Sequence, residues 1–173
     1  MTRVVTDATI LIHLARLDEL ALLDDLFDEV LVPTPVYEEV VEEGRVHGYA
    51  DALAVEDATE MFLDVVDTDE LGENLGERIR KMAALGEGEV AAIALAAATD
   101  ARWLTNDHAA RRTATALDVP VGGTIYVFLR ALDDGLFTLS GYVDRLDALD
   151  DAGFRMSAGL YRRAIDTAED RVE

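Results

Sequence analysis

The chain has 173 residues, 50% of them hydrophobic, enough to build one well-packed core. It contains no Cys, which removes disulfide frameworks, zinc fingers, thiol nucleophiles and Cys-held clusters, so any metal must sit on oxygen or His. The net charge of -21, with 14 Arg against a single Lys and 21 Asp against 15 Glu, ordinarily argues against nucleic acid, because affinity for phosphate comes mostly from Lys and Arg.

Short β-branched runs alternate with helical patterns, the signature of β-α units feeding a parallel sheet. RVVT at 3–6 predicts the first strand, and a helical pattern follows over 9–28 with a break near Asp18. EVLVP at 29–33 predicts the second strand; Pro35 then starts a helix over 35–44, and another pattern covers 48–58. MFLDVV at 61–66 is the third strand. The acidic, Gly-punctuated stretch DTDELGENLGER at 67–78 is expected as a mobile loop, overlapping a helical pattern over 72–83. Beyond it come a helix over 88–99, a strand RWLT at 102–105, a helix over 107–117 and a short strand PVGG at 120–123. Helices over 124–134, 140–151 and 157–170 close the chain. No repeat, low-complexity tract or Pro/Gly/Ser linker marks a domain border.

In open α/β sheets ligands bind outside the carboxyl ends of the strands. Asp7 directly follows the first strand and Asp107 lies just beyond the fourth, and each is preceded by two apolar residues and a Thr. Taken singly, each acid reads as a helix N-cap or first-turn residue. The helix over 88–99 is apolar nearly all round, so it should be buried, with Glu89 its only charge; an unpaired buried carboxylate is costly unless a cation or donors compensate. In VPTPVYEEVVEEG a 3.6-residue wheel turns Val36, Tyr37, Val40 and Val41 inward, with Glu39 and Glu43 on one edge and Glu38 on the other, and does not choose among the acids. Carboxylates converging at the edge of a sheet repel, and with no Cys and no paired His an oxygen-only set suits Mg²⁺ or Mn²⁺. Such a site activates water for in-line attack at phosphorus.

His13, His47 and His108 show no ligand spacing; His13 reads as a satisfied, partly buried residue and His108 as a solvated first-turn residue. Ser140 and Ser157 read as helix N-caps. VGGT at 121–124 opens a helix and is either a tight turn with a Thr cap or a place where backbone N–H groups approach a phosphate. Arg111 and Arg112 are the basic residues nearest the proposed site, with Arg112 the more superficial.

Five segments in order, VPTPVYEEV at 32–40, GEVAAIALA at 88–96, NDHAARRTA at 106–114, GGT at 122–124 and GFRMSAGLY at 153–161, with Asp7 ahead of them, resemble the PIN-domain ribonucleases, of the VapC-like kind found as toxins in toxin-antitoxin pairs. The resemblance covers essentially the whole chain. It implies a three-layer α/β/α domain with a central parallel sheet, here a single domain over 1–173 with a helical extension from about residue 140. It implies a metal site made of Asp7, Glu39, Glu89 and Asp107, choosing Glu39 where the wheel did not; Arg111 matches its AR and would orient a substrate phosphate or pair with a site acid, and Thr124 of VGGT is a further candidate for that phosphate. Asn106 stands where this branch usually has the first of two Asp residues, and Ala91 replaces the second acid of a GExE pattern. The activity implied is Mg²⁺- or Mn²⁺-dependent hydrolysis of RNA, with a small antitoxin protein as partner and a homodimer as the assembly. A catalytically inactive PIN-like module for RNA or protein binding is the alternative. A phosphatase with an Asp nucleophile would want Asp-x-Asp-x-Thr, and the chain reads Asp7-Ala8-Thr9-Ile10-Leu11.

The uncharged stretch at 90–99 is too short for a membrane span, and the N-terminus has no apolar h-region, so a cytoplasmic protein is expected. The acidity itself is expected as adaptation to high salt, where screening over about 3 Å at 1 M makes a dense carboxylate surface tolerable. On that reading the unfolding midpoint rises steeply with KCl; a flat response rejects it.

Overall fold

Val4 and Val5 point to opposite faces of the same strand, and each joins a different apolar core. That alternation sets the layers in the computed structural model, which describes residues 1–71, 73–82 and 84–173. The strands are β1 Arg3–Thr6, β2 Glu29–Pro33, β3 Leu63–Val66, β4 Arg102–Leu104 and β5 Val121–Gly122. All pair in parallel, in the order β3-β2-β1-β4-β5. The runs at 3–6 and 29–33 thus became central strands covered on both faces, as parallel sheets require, while β3 lies at the edge with Asp64 and Val65 exposed.

The helices are α1 Ala8–Arg16, α2 Ala21–Leu26, α3 Thr34–Tyr37, α4 Gly44–Val46, α5 Ala50–Thr59, α6 Glu73–Met82, α7 Glu87–Thr99, α8 His108–Ala116, α9 Thr124–Asp133, α10 Leu139–Asp151 and α11 Ala158–Val172. One face of the sheet packs α1, α2, α5 and α9 to α11 around Ile10, Leu14, Phe128, Tyr142 and Leu146. The other packs α6 to α8 around Val5, Ile79, Ile93, Trp103 and Ala114. The architecture is therefore the expected α/β/α arrangement. Among the described residues no helix is long and apolar enough to cross a membrane.

Three local expectations are revised. The helix after β2 is not one α-helix: α3 passes into a π-helical segment, Glu38–Glu43, before α4. Its i→i+5 bonding is wider than a 3.6-residue wheel assumes, yet Val40 and Val41 still turn inward as the wheel expects. The stretch 67–78, expected as a loop, carries a 3₁₀ turn at Asp69–Leu71 and the first half of α6; Gly72 and Ala83, the ends of the predicted helix, lie outside the described residues. Thr138, not Ser140, caps α10 by accepting from Gly141 N–H at 3.0 Å, whereas Ser157 caps α11 as expected, accepting from Leu160 N–H at 3.1 Å. The break near Asp18 is a left-handed residue, φ 56°, between α1 and α2.

The Tyr142 hydroxyl, buried in α10, donates to the Ala164 carbonyl of α11 at 3.0 Å. Tyr142→Phe should cost about 1 kcal/mol in urea unfolding, since the carbonyl it leaves behind belongs to a helix; no change would mean that apolar packing alone docks α11.

Candidate metal and phosphodiester site

The strand order reverses between β1 and β4, so the chain leaves the sheet at two neighbouring strand ends. Asp7 stands at the first. Its N–H donates to the Leu104 carbonyl at 3.2 Å, extending the β1–β4 ladder by one rung. Its carboxylate accepts from Ile10 N–H at 3.0 Å, capping α1, and is hydrogen-bonded by Thr105. Only 5% of Asp7 is exposed.

Asp7, Glu39 and Glu89 line one cleft of about 270 Å³, closed by Val36, Gly86 and Gly88. Glu39 comes from the π-helical segment and is exposed at the rim; Glu89 comes from the first turn of α7. A Cβ at Gly88 would lie 3.3 Å from Val36 Cγ2 and 3.4 Å from Glu39 Oε2, so the glycine lets the two helices approach closely here. Glu89 is half-buried, less enclosed than expected, and its Oε2 accepts from Gly86 N–H at 3.0 Å, so a backbone donor compensates it.

The electrostatics follow. Burial pushes the pKa of Asp7 up to about 6; the hydrogen bonds from Thr105 and Ile10 oppose the rise, and Glu89 and Glu39 add to it. Burial, then Glu43 and Glu89, push Glu39 above the usual carboxylate range. Among the described residues none of the three forms an ion pair, and no cation lines the cleft.

Asp107 is placed differently. It is exposed, and one carboxylate oxygen accepts from Ala109 N–H at 2.7 Å and Ala110 N–H at 3.1 Å, capping α8 outside the cleft. The link between the two strand ends is Thr105, whose hydroxyl bonds the Asp7 carboxylate and accepts from Asp107 N–H at 3.2 Å. Among the described residues no three His, Asp or Glu side chains are drawn together closely enough to enclose an ion. The donors match a hard divalent cation in kind, being oxygen-only, mutually repelling and without a counter-charge; the shell itself is not assembled.

Asn106 faces away from the acids. Its Oδ1 accepts from Thr124 N–H at 2.9 Å, its Nδ2 donates to Thr124 Oγ1 at 3.0 Å, and Nδ2 lies 3.5 Å from His13 Nδ1. Thr124, expected at a phosphate, is instead fully buried: its N–H donates to Asn106 Oδ1 and its hydroxyl oxygen accepts from Asn106 Nδ2, so it positions Asn106. A Cβ at Gly123 would lie 2.6 Å from Asn106 Oδ1 and 2.7 Å from Arg111 Nη2, which explains the second glycine of VGGT by close approach. Arg111, expected to orient a phosphate or pair with an acid, pairs with no acid among the described residues; its Nη2 donates to the Thr105 carbonyl at 3.3 Å. Burial, then Arg16, hold His13 below its ordinary pKa. Thr105, Asn106 and His13 were not chosen from the sequence as partners; the repeated Thr ahead of each strand-end acid was the one visible sign.

A family model described as a PIN domain (DUF3368) matches residues 3–170. The chain belongs to the PIN-domain family. PIN domains are generally nucleases. Among solved structures the chain is similar to VapBC2 from Rickettsia felis, bound there to a DNA fragment from its promoter, with a TM-score of 0.55 and 14% identity over 70% of this chain and 98% of that one. At that identity the likeness is one of fold. No curated protein matches the chain.

The raised pKa of Asp7 makes a signed prediction for the metal-free PIN domain. Its folded value, about 6, lies above its ordinary 3.8, so what it contributes to stability is complete below about pH 4 and is lost as pH rises through 6, a loss of roughly 3 kcal/mol. Asp7→Asn keeps an acceptor for Ile10 N–H and removes the ionisation. In EDTA the variant should be more stable than wild type at pH 7.5, with the gap closing near pH 4. A wild type that is the more stable at pH 7.5 would contradict the assigned burial cost.

Proposed function

We propose that the protein is a metal-dependent endoribonuclease whose cation is held by Asp7, Glu39 and Glu89, with Asp107 at the neighbouring strand end completing the set. The observation that carries this reading is the single cleft shared by Asp7, Glu39 and Glu89 with no cation among its described lining residues. Bound there, Mg²⁺ or Mn²⁺ would supply an activated water and neutralise charge building on the scissile phosphate. The chain's own residues have simpler tasks. Asp7, fixed by Ile10 N–H and the Thr105 hydroxyl, presents a carboxylate that cannot swing away. Glu39, at the rim, adjusts most freely. Arg111 meets a phosphate of the strand with its guanidinium, for which it has no carboxylate partner among the described residues.

The chain's relation to the toxin-antitoxin fold supports a toxin role, with a small antitoxin as partner and a homodimer as the assembly. A second reading rests on the caps. Asp7 and Asp107 satisfy helix N-termini and Glu89 satisfies the N–H of Gly86 without any cation, as a metal-free binding module would require.

The two readings separate in thermal unfolding with and without millimolar Mn²⁺ in molar KCl. At a hundredfold excess over Kd the cation should stabilise the wild type by about 2.7 kcal/mol, raising Tm by roughly 5–10 °C, and leave Asp7→Asn unmoved. Cleavage of a single-stranded RNA pool should follow the same dependence. Absence of both the shift and the cleavage would sink the nuclease and favour the binding module.

A further inference from the structure

A second cavity, of about 560 Å³, lies where α1, the β4–α8 connection, α9 and the segment between α10 and α11 meet. Its volume falls within the roughly 300–1,000 Å³ usual for small-molecule sites. The side chains that matter are His13, Asn106, Arg111, Tyr126, Phe154 and Arg155. In a chain of net charge -21 its described lining holds two arginines and no carboxylate, whereas that of the acid cleft holds no cation and four carboxylates, Asp7, Glu39, Glu89 and Glu87, the last paired with Arg80 outside the lining. Neither Arg111 nor Arg155 forms an ion pair among the described residues. Arg111 Nε is buried with no hydrogen-bond partner, an unusual condition for a charged donor, since buried polar groups are nearly always satisfied.

The cavity also has an aromatic wall. Phe154 packs edge-on against His13, with ring centroids 5.6 Å apart, and is only partly buried. It is placed by Gly153, whose φ of 101° is readily adopted only by glycine and turns the chain after α10 so that Phe154 and Arg155 reach the cavity. The GFR of GFRMSAGLY, which no part of the acid site uses, thereby acquires a task. Thr105 lines neither cavity, but this fully buried residue links them: its hydroxyl bonds Asp7 while its carbonyl accepts from Arg111.

We propose that this cavity is a nucleotide subsite, taking a phosphate between Arg111 and Arg155 and stacking the attached base on the Phe154–His13 wall. It rests on the nuclease reading and deepens it: a single strand runs from one cavity to the other, with the bond to be cut over the acids and a neighbouring nucleotide held in the basic cavity. Planar guanidinium groups and an aromatic face together suit a nucleotide better than a bare anion or an acidic peptide.

The test needs no cleavage. Binding of a fluorescein-labelled RNA tetranucleotide to the full chain is followed by anisotropy in EDTA, with adenosine monophosphate, adenosine and inorganic phosphate as competitors. Phe154→Ala and Arg155→Gln should each weaken binding by about 5- to 100-fold, adenosine monophosphate should compete better than either of its parts, and Arg112→Gln, exposed on the same helix as Arg111, should change little. Arg155 is exposed and unpaired, so its variant keeps the proposal testable if Phe154→Ala unfolds. Equal weakening by Arg112→Gln and Arg155→Gln, competition by inorganic phosphate as strong as by the nucleotide, or no binding at all would overturn the subsite. Binding retained in Asp7→Asn would support it even if Mn²⁺-dependent cleavage were absent, which separates its fate from that of the acid site.

Discussion

Where β1 and β4 lie side by side, the sheet grows outward in both directions, toward β2 and toward β5. Right-handed crossovers then send the two connections to opposite faces. The helix after β1 packs in the core that holds Val4, and the helix after β4 in the core that holds Val5 and Trp103. A crevice between the two strand ends is the unavoidable result, and the backbone bond from Asp7 N–H to Leu104 fixes its width. Everything chemical about the chain is arranged around that opening: the acids to one side, the basic cavity to the other, and Thr105 bonded to Asp7 of the first and Arg111 of the second.

The sheet was legible because its signal is local. Runs such as RVVT and EVLVP combine β-branched residues with sharp borders, and their lengths match the observed strands. Asp7 and Asp107 were legible as strand-end residues for the same reason. The division between them was not. Whether an acid turns into a crevice or onto its own helix depends on side-chain rotation and on what the opposite element leaves open, and neither leaves a periodic trace. Glu39 illustrates a second limit: the wheel turns Val36, Val40 and Val41 inward, as observed, but leaves Glu38, Glu39 and Glu43 on its edges, so the acid is chosen by family resemblance rather than by geometry. Asn106 is a third. Its amide ties α9 to the β4–α8 connection through contacts 18 residues apart in sequence, which only the folded chain brings together.

Charge is partitioned rather than merely abundant. Arg3, Arg16, Arg45, Arg80, Arg145 and Arg171 are engaged with carboxylates. Among the described residues Arg111 and Arg155 are not, nor are six other arginines; what sets the second cavity apart is a lining with two arginines and no carboxylate. An acidic surface that repels phosphate at long range therefore need not prevent binding at short range, provided unneutralised cations are gathered in one recess. Molar salt would screen the long-range repulsion within a few ångströms while a close guanidinium–phosphate contact suffers less.

The capping roles of the acids do not by themselves explain why they are acids. An N-cap is worth about 0.5–2 kcal/mol, and Ser, Thr or Asn supply an acceptor as well as Asp does. At Asp107, exposed to solvent, the carboxylate costs little and the cap is a sufficient reason for it. At Asp7 the balance differs: holding a negative charge there at neutral pH costs roughly 3 kcal/mol relative to an exposed carboxylate, more than a cap returns. A neutral residue would cap α1 at lower cost. With a pKa of about 6 the carboxylate is ionised at neutral pH at that cost in stability, which a positive charge in the cleft would offset, and that imbalance supports the proposed reading of Asp7 as a ligand and Asp107 as its less committed neighbour.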